Sequence, residues 1–418
     1  MDIHSLTLVL YHTFLLPVVF LSLVFYIAAL AEILPRERIE NEKNMKLKKN
    51  RLPMVTIQIP VYNDPIVVRC IEHCINFNYP KNKYEIQVVD DSDDKRTIEL
   101  IDAVVKNCRS RSNISIIRRS TRNGFKPGAL NAAMKYAKGE IIVVFDSDFA
   151  PSRNFLRKLI DPLIHDEEIA AVQSKMGFLN ATQNIITKYA SSILMIYYNI
   201  VMNISSNMGV TFLGGTGLAI RRNVLEEFNG WNENSITEDA DLSIKLMHKK
   251  YKIKFLKDLV NPGEVPNTLR GFLRQQMRWS YGMVRAFIEN SEKIFSKNFS
   301  FRQRIPIGFI TLGSYFSFFI VGMTFFGIMG WITGGHKQIQ FEDIIRFLTT
   351  LLITMGFAFS MLIAMLKEKS LKNFPSSFLA IFIIGITMVI ALSVATIKAT
   401  LNKSMWWHRT PKSFTYQQ

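Results

Sequence analysis

The sequence predicts an α/β domain with a mixed, mostly parallel sheet, placed between N-terminal and C-terminal transmembrane helices. Three observations lead there. The chain has 418 residues and a hydrophobic fraction of 48%, close to the globular average, yet its apolar residues crowd into the two ends. The middle alternates short strand-like runs with helix-like runs, the pattern of a sheet covered by helices. Acidic and glycine-bearing motifs fall where strand-like runs end, which is where such sheets hold ligands.

Residues 1–35 form the first element, an N-terminal transmembrane helix. Leu6 to Leu34 carries no charge before Glu32 and exceeds the roughly twenty apolar residues that a bilayer crossing needs. A cleaved leader would want a basic start, and no Lys or Arg precedes Arg36. Arg36, Arg38, Lys43, Lys46, Lys48, Lys49 and Arg51 follow it, which predicts that the next domain is cytoplasmic. The formal net charge of +17 then reads as a lipid-facing balance rather than a nucleic-acid footprint. The expected protein is a multi-pass integral membrane protein with the bilayer as a partner.

Residues 52–265 form the α/β domain. Strand-like runs cover Val55–Pro60, Ile86–Val89, Ile114–Ile117, Glu140–Phe145, Ala170–Ser174 and Lys252–Leu256; helix-like runs include Ile66–Phe77, Ala129–Lys138 and Asp239–Lys250. Asn184–Asn203 reads as an amphipathic helix that either packs within the domain or lies at the membrane interface. A second amphipathic helix, Thr268–Phe295, dominates residues 266–300 and suits the interface. Residues 305–398 hold three apolar stretches, Ile305–Trp331, Ile344–Leu366 and Phe378–Ile397, each long enough to span. Residues 399–418 form a tail. Cys70, Cys74 and Cys108 are too few and too irregular for a disulfide framework. Cys70-Ile71-Glu72-His73-Cys74 lacks the second ligand pair of a structural zinc site, and reduced thiols suit the cytosol.

Five motifs carry chemistry. Asp146-Ser147-Asp148 leaves the apolar run Ile141–Val144, and two such carboxylates can hold a hard divalent cation whose other ligands are phosphate oxygens. Asp90-Asp91-Ser92 ends another strand and offers acceptors to a base or ribose. Asn123-Gly124-Phe125-Lys126-Pro127-Gly128 precedes a helix, where a glycine-bearing loop and a lysine favour phosphate. Glu238-Asp239 opens a helix, where a carboxylate is either a dipole partner or a general base. Gln275-Gln276-Met277-Arg278-Trp279 lies on the second amphipathic helix. Its Arg can neutralise a leaving diphosphate and its Trp can stack on a sugar.

In this order, Asp91, Asp146-x-Asp148, Glu238-Asp239 and Gln275-x-x-Arg278-Trp279 resemble the processive family-2 glycosyltransferases, which include cellulose, hyaluronan, chitin, mannan and glucomannan synthases. The resemblance covers nearly the whole chain. It implies a GT-A fold, an inverting reaction and a Mg2+ or Mn2+ cofactor. It also implies a nucleotide-sugar donor (UDP-glucose, UDP-N-acetylglucosamine or GDP-mannose) and a glycan acceptor. By the same resemblance Tyr62, Asp64, Asp91, Lys126, Asp146, Gln275 and Arg278 bind the nucleotide sugar. Asp148 and Asp146 hold the metal, and Asp239 is the base. Gly215, Thr216, Glu238 and Trp279 form the acceptor site. Asp64 stands where the family usually has Glu. Trp407, Thr410 and Lys412 resemble its gating loop, with Trp407 for Phe and Arg409 for Val.

The implied function is extension of a β-linked polysaccharide. The alternative is single addition to a lipid acceptor of polyprenyl phosphate or ceramide type. A third class, a non-enzymatic membrane protein on this scaffold, is disfavoured by the intact carboxylates and Arg278. One tension stands within these expectations. Three crossings after a cytoplasmic domain put the tail outside, whereas a gating tail must return to the active site.

Overall fold

A computed structural model describes residues 2–34, 52–108, 112–334 and 340–405. Trp407, Thr410 and Lys412 lie outside the described residues. The middle of the chain builds a seven-stranded sheet from β1 (Val55–Val61), β2 (Tyr84–Asp90), β3 (Ile114–Arg118), β4 (Ile141–Val144), β5 (Ile169–Phe178), β6 (Leu218–Arg221) and β7 (Lys252–Gly263). Their spatial order is β3-β2-β1-β4-β6-β5-β7. All pairs are parallel except those of β6, which runs antiparallel to both β4 and β5.

β1, β2 and β4 have almost no exposed residue, as expected for central strands covered on both faces. Ile57, Ile59, Val88, Val143 and Phe145 join Ile71, Ile101 and Leu159 from the flanking helices in one core. Each such burial stabilises by roughly 1.5–3 kcal/mol. Cys70 and Cys74 are two buried free thiols in that core, the packing role expected of them. The expected strands all form, with their ends displaced by seven residues at most. β6 was not anticipated. It is a four-residue strand wedged between β4 and β5, and its pairing rather than its sequence makes it a strand.

A second core does not stop at the sheet. Tyr189, Ile200, Phe212, Phe272 and Ala286 pack with Ala29, Met361 and Ala364. The first helix and the C-terminal helices therefore share an apolar interior with the α/β domain.

By length and composition, helices Ile3–Ile33, Ile185–Asn207 and Phe301–Thr333 could cross a membrane. So could two bent pairs, Phe341–Thr354 with Gly356–Lys367 (50°) and Leu371–Ile383 with Gly385–Thr400 (55°). Ile185–Asn207 is mostly buried and belongs to the domain. The bend after Thr354 has a local cause. Gly356 donates its N–H to Ser22 Oγ at 2.7 Å, and a Cβ on Gly356 would lie 2.0 Å from the Ser22 carbonyl oxygen.

The ends of these helices are ordered in space. Thr333 meets His4 and Thr7 at 3.4 and 3.3 Å, far along the chain from the domain. At the other end Glu32 meets Lys367, and Asn203 donates to both Glu32 oxygens at 2.9 and 2.8 Å. Arg285, on the domain's helix Leu269–Glu289, donates to the Ala399 carbonyl at 3.4 Å. Residues 32, 367 and 399 thus all lie at the domain end. The pair Leu371–Thr400 starts and finishes there, with its 55° bend also against the domain, where Ala380 and Ile384 share a core with Tyr189 and Phe272.

Candidate active site

The carboxyl ends of β1, β2 and β4, the loop before β6 and two helix starts surround one cavity of about 700 Å3. Tyr62, Asp64, Asp91, Lys126, Asp146 and Asp148 line it, and so do Gly215, Thr216, Glu238, Asp239, Gln275, Arg278 and Trp279. Every expected site residue that the structure describes therefore faces the same space.

At the β1–β2 end, Asp91 is not free for a ligand alone. Arg119 grips it with two hydrogen bonds, Nε to Oδ1 at 2.9 Å and Nη2 to Oδ2 at 2.5 Å. Asp90 is buried and paired with Arg118 at 2.8 Å. Tyr62 lies flat under Arg122, whose guanidinium carbon is 3.2 Å from the ring centroid. Its hydroxyl donates to Asp93 at 3.3 Å. Asn63 adopts φ +50° to make that turn, a conformation Asn tolerates better than most residues. The motif reading missed Arg119, Arg122 and Asp93, because partners 28 to 60 residues apart leave no local pattern.

In the centre, Ser147 donates to Asp64 at 2.7 Å, joining the β1 loop to Asp146-Ser147-Asp148. Asp148 is buried and accepts from the Glu264 N–H at 3.1 Å. Lys126 Nζ sits 2.7 Å from Asp146 Oδ1, 2.8 Å from the Gly215 carbonyl oxygen and 3.8 Å from Glu238 Oε1. Burial works to lower the Lys126 pKa, but Asp146 and Glu238 outweigh it and the ammonium is held more firmly charged. Among the described residues no group of three or more His, Cys, Asp or Glu gathers as a metal cage. The pair Asp146 and Asp148 nonetheless fits a hard cation. Mg2+ uses one or two protein carboxylates when a diphosphate supplies the rest, and both groups are hard oxygen donors.

Glu238 and Asp239 start the helix Glu238–His248, where the helix dipole favours ionised carboxylates. Burial outweighs that help. The Glu238 carboxyl is pushed up to about 7 by desolvation, against the pull of Lys126 and with the push of Asp239. Asp239 is likewise raised by burial, with Lys126 and Arg278 opposing. Such poised carboxyls mark functional sites.

Gly214 and Gly215 form the floor. Gly215 has φ +72°, and a Cβ there would lie 3.0 Å from Asp239 Oδ2 and 3.2 Å from Lys126 Nζ. Base candidate and ammonium thus converge on a residue with no side chain. The other wall is apolar, with Met176, Ile193, Leu194 and Met283. Ser404 and Met405 complete it, so the chain returns to the cavity after the last helix.

Comparison with known proteins places this arrangement. Glucomannan 4-beta-mannosyltransferases of Arabidopsis thaliana are similar. One named as probable 15 is 31% identical over 293 residues, 66% of this chain and 55% of the relative. Number 7 is 34% identical over 239 residues, 55% of this chain and 42% of the relative. The chain therefore spans about half the length of the curated relatives it matches. A mannosyltransferase from Pyrobaculum calidifontis, solved in complex with GDP-Man and Mn2+, shares the fold with a TM-score of 0.66 at 18% identity, over 96% of this chain and 100% of that one. The model described as "Glycosyltransferase like family 2" matches residues 53–282. That match takes in all seven strands, the paired aspartates, the helix-opening Glu238-Asp239 and the Gln-x-x-Arg-Trp segment, and the chain belongs to that family of glycosyltransferases.

Proposed function

We propose that this chain transfers a sugar from a nucleotide-diphosphate donor to the hydroxyl of a β-linked glycan, with inversion, at the membrane surface. The observation that carries the reading is the convergence of Asp239 Oδ2 and Lys126 Nζ on Gly215, with Asp146 held on the same ammonium. A donor whose diphosphate lies against Lys126 and Asp146-x-Asp148 presents its C1 above that floor. Asp239 takes the proton of the acceptor hydroxyl. The acceptor oxygen bonds to C1 as the bond from C1 to the phosphate oxygen breaks, and nucleoside diphosphate leaves. Negative charge grows on that phosphate, and fixed cations there lower the barrier; Lys126 and Arg278 are the candidates. A Mg2+ or Mn2+ ion, when bound, would be held by Asp148 and Asp146 and would neutralise the diphosphate.

Tyr62, Asp64 and Asp91 suit the nucleoside end, and Gln275 the sugar diphosphate. Gly215, Thr216, Glu238 and Trp279 suit the acceptor. The names of the relatives favour a mannosyl unit and a growing polysaccharide, and the GDP-Man and Mn2+ of the structural neighbour favour GDP-mannose over UDP-glucose or UDP-N-acetylglucosamine. The apolar wall of Met176, Ile193, Leu194 and Met283 favours a second reading, a sugar acceptor carried on a lipid. Radiolabelled transfer from each of the three donors, followed by separation of polymer from solvent-extractable lipid, distinguishes the two. The basic run after the first helix favours a cytoplasmic catalytic domain.

Asp239→Asn tests the base. It should lower transfer about a hundredfold or more while nucleotide-sugar binding survives. Turnover near that of the wild type would remove Asp239 from the role.

A further inference from the structure

The helix Ile185–Asn207 is broken at Tyr197–Val201 by one π-turn, a feature that concentrates at functional sites because it rotates one residue out of the helical register. It presents two consecutive tyrosines, Tyr197 and Tyr198, to the cavity. Neither belongs to any motif singled out in the sequence.

Tyr198 is 6% exposed, and among the described residues its hydroxyl makes no hydrogen bond. Its ring is fixed by stacking on Phe255 at 6.2 Å and 22°, and by the edge of Tyr197 at 5.0 Å. The hydroxyl lies 3.2 Å from where a Cβ would stand on Gly214. One residue on, the same construction on Gly215 meets Asp239 Oδ2 at 3.0 Å. A phenol and the base candidate therefore flank consecutive glycines of one floor. Because Tyr198 lines the cavity, its hydroxyl is open to a bound partner there.

The turn is also anchored from outside the cavity. Asn199 donates to the Met195 carbonyl at 3.0 Å and to Glu368 at 2.9 Å. Lys175 of β5 pairs with Glu368 and donates to Asn199 at 3.3 Å. Glu368 follows the helix Gly356–Lys367, so the turn is gripped between the sheet and the membrane helices.

We propose that Tyr198 binds the acceptor: its hydroxyl hydrogen-bonds one hydroxyl of the acceptor sugar lying on Gly214–Gly215, so that a neighbouring hydroxyl meets Asp239. Asn199 is a positioning residue that acts through Tyr198. The inference rests on the glycosyltransfer reading of the site given above.

The test uses the full chain in detergent with GDP-mannose as donor and β-1,4-mannotetraose as acceptor. Readouts are acceptor KM, GDP release without acceptor, and GDP-mannose Kd. Tyr198→Phe should raise acceptor KM about two- to tenfold, the loss of one neutral hydrogen bond. Donor hydrolysis and donor Kd should stay at wild-type values, which a merely structural loss would not spare. Asn199→Ala loosens the turn that carries Tyr198 from outside the cavity and should give the same split. An unchanged acceptor KM in both variants overturns the proposal, as does an equal change in donor Kd. If wild-type protein transfers and the variants match it, only this inference falls. If wild-type protein neither binds nor turns over GDP-mannose, UDP-glucose or UDP-N-acetylglucosamine, the reading of the site falls with it.

Discussion

Gly215→Ala separates a backbone effect from a catalytic one. The residue has φ +72°, where an L side chain costs about 1–2 kcal/mol. Its new Cβ would also stand 3.0 Å from Asp239 Oδ2, where ordinary contact begins at 3.4 Å. The carboxylate must therefore retreat by about 0.4 Å, or the loop must carry the Gly215 carbonyl away from Lys126. A misplacement of about 1 Å can cost a hundredfold in rate, so roughly tenfold is expected here. Gly209→Ala is the control. It shares the backbone strain at φ +76°, but only Gln303 Nε2 lies near its Cβ, at 3.4 Å. Both variants should lose about 1–2 kcal/mol of stability, read as similar falls in unfolding midpoint in detergent. Only Gly215→Ala should lose transfer beyond what that destabilisation explains. Equal transfer rates in the two variants would refute the placement of Asp239 over the floor.

The raised carboxyls predict a pH profile. Asp239 must be ionised to act as base, so kcat/KM should rise with pH through an acid limb centred above 3.8, the ordinary aspartate value. Glu238 also links to stability. Its folded value of about 7 exceeds the ordinary 4.5, so the folded state holds the proton more tightly and stability falls as pH rises from 4.5 through 7. Thermal scans without donor should show Glu238→Gln gaining on wild type above that window and not below it. Arg119→Met leaves Asp91 a nearly buried charge without its guanidinium (side chains 13% and 6% exposed) and should cost about 3–5 kcal/mol. Lys252→Met breaks an exposed pair with Glu168 (61% and 72%) and should cost less than about 1 kcal/mol. Unfolding midpoints compare the two directly, and equal losses would discount the Asp91 pairing.

The central strands were legible because Ile57, Ile59 and Val88 alternate with Thr56, Gln58 and Gln87, and Ile141–Val144 is a short unbroken apolar run, both strand patterns. The carboxylates were legible because Asp146-x-Asp148 and Glu238-Asp239 act through short spacing. β6 was not, since Leu218–Arg221 follows a glycine-rich loop and shows no alternation; its strand character comes from β4 and β5. The π-turn was hidden for a similar reason. Tyr197 to Val201 read as ordinary helix, and the partners of Asn199 lie on β5 and beyond residue 360. The two bends were invisible in composition, because apolar content continues unbroken through Gly356 and Gly385. Those bends decide where the tail goes. With Leu371–Thr400 finishing at the domain end, Met405 reaches the cavity.

The helices around Ile3–Ile33 have one more implication. Phe14 packs against Phe319 and Phe326, Phe25 against Phe357, and Gly322 admits the Phe14 ring. Helices in such contact stand about 8–10 Å apart. The same apolar foot shares its core with Tyr189, Phe212 and Phe272 of the domain, so head and foot form one body rather than a catalytic head on a tether.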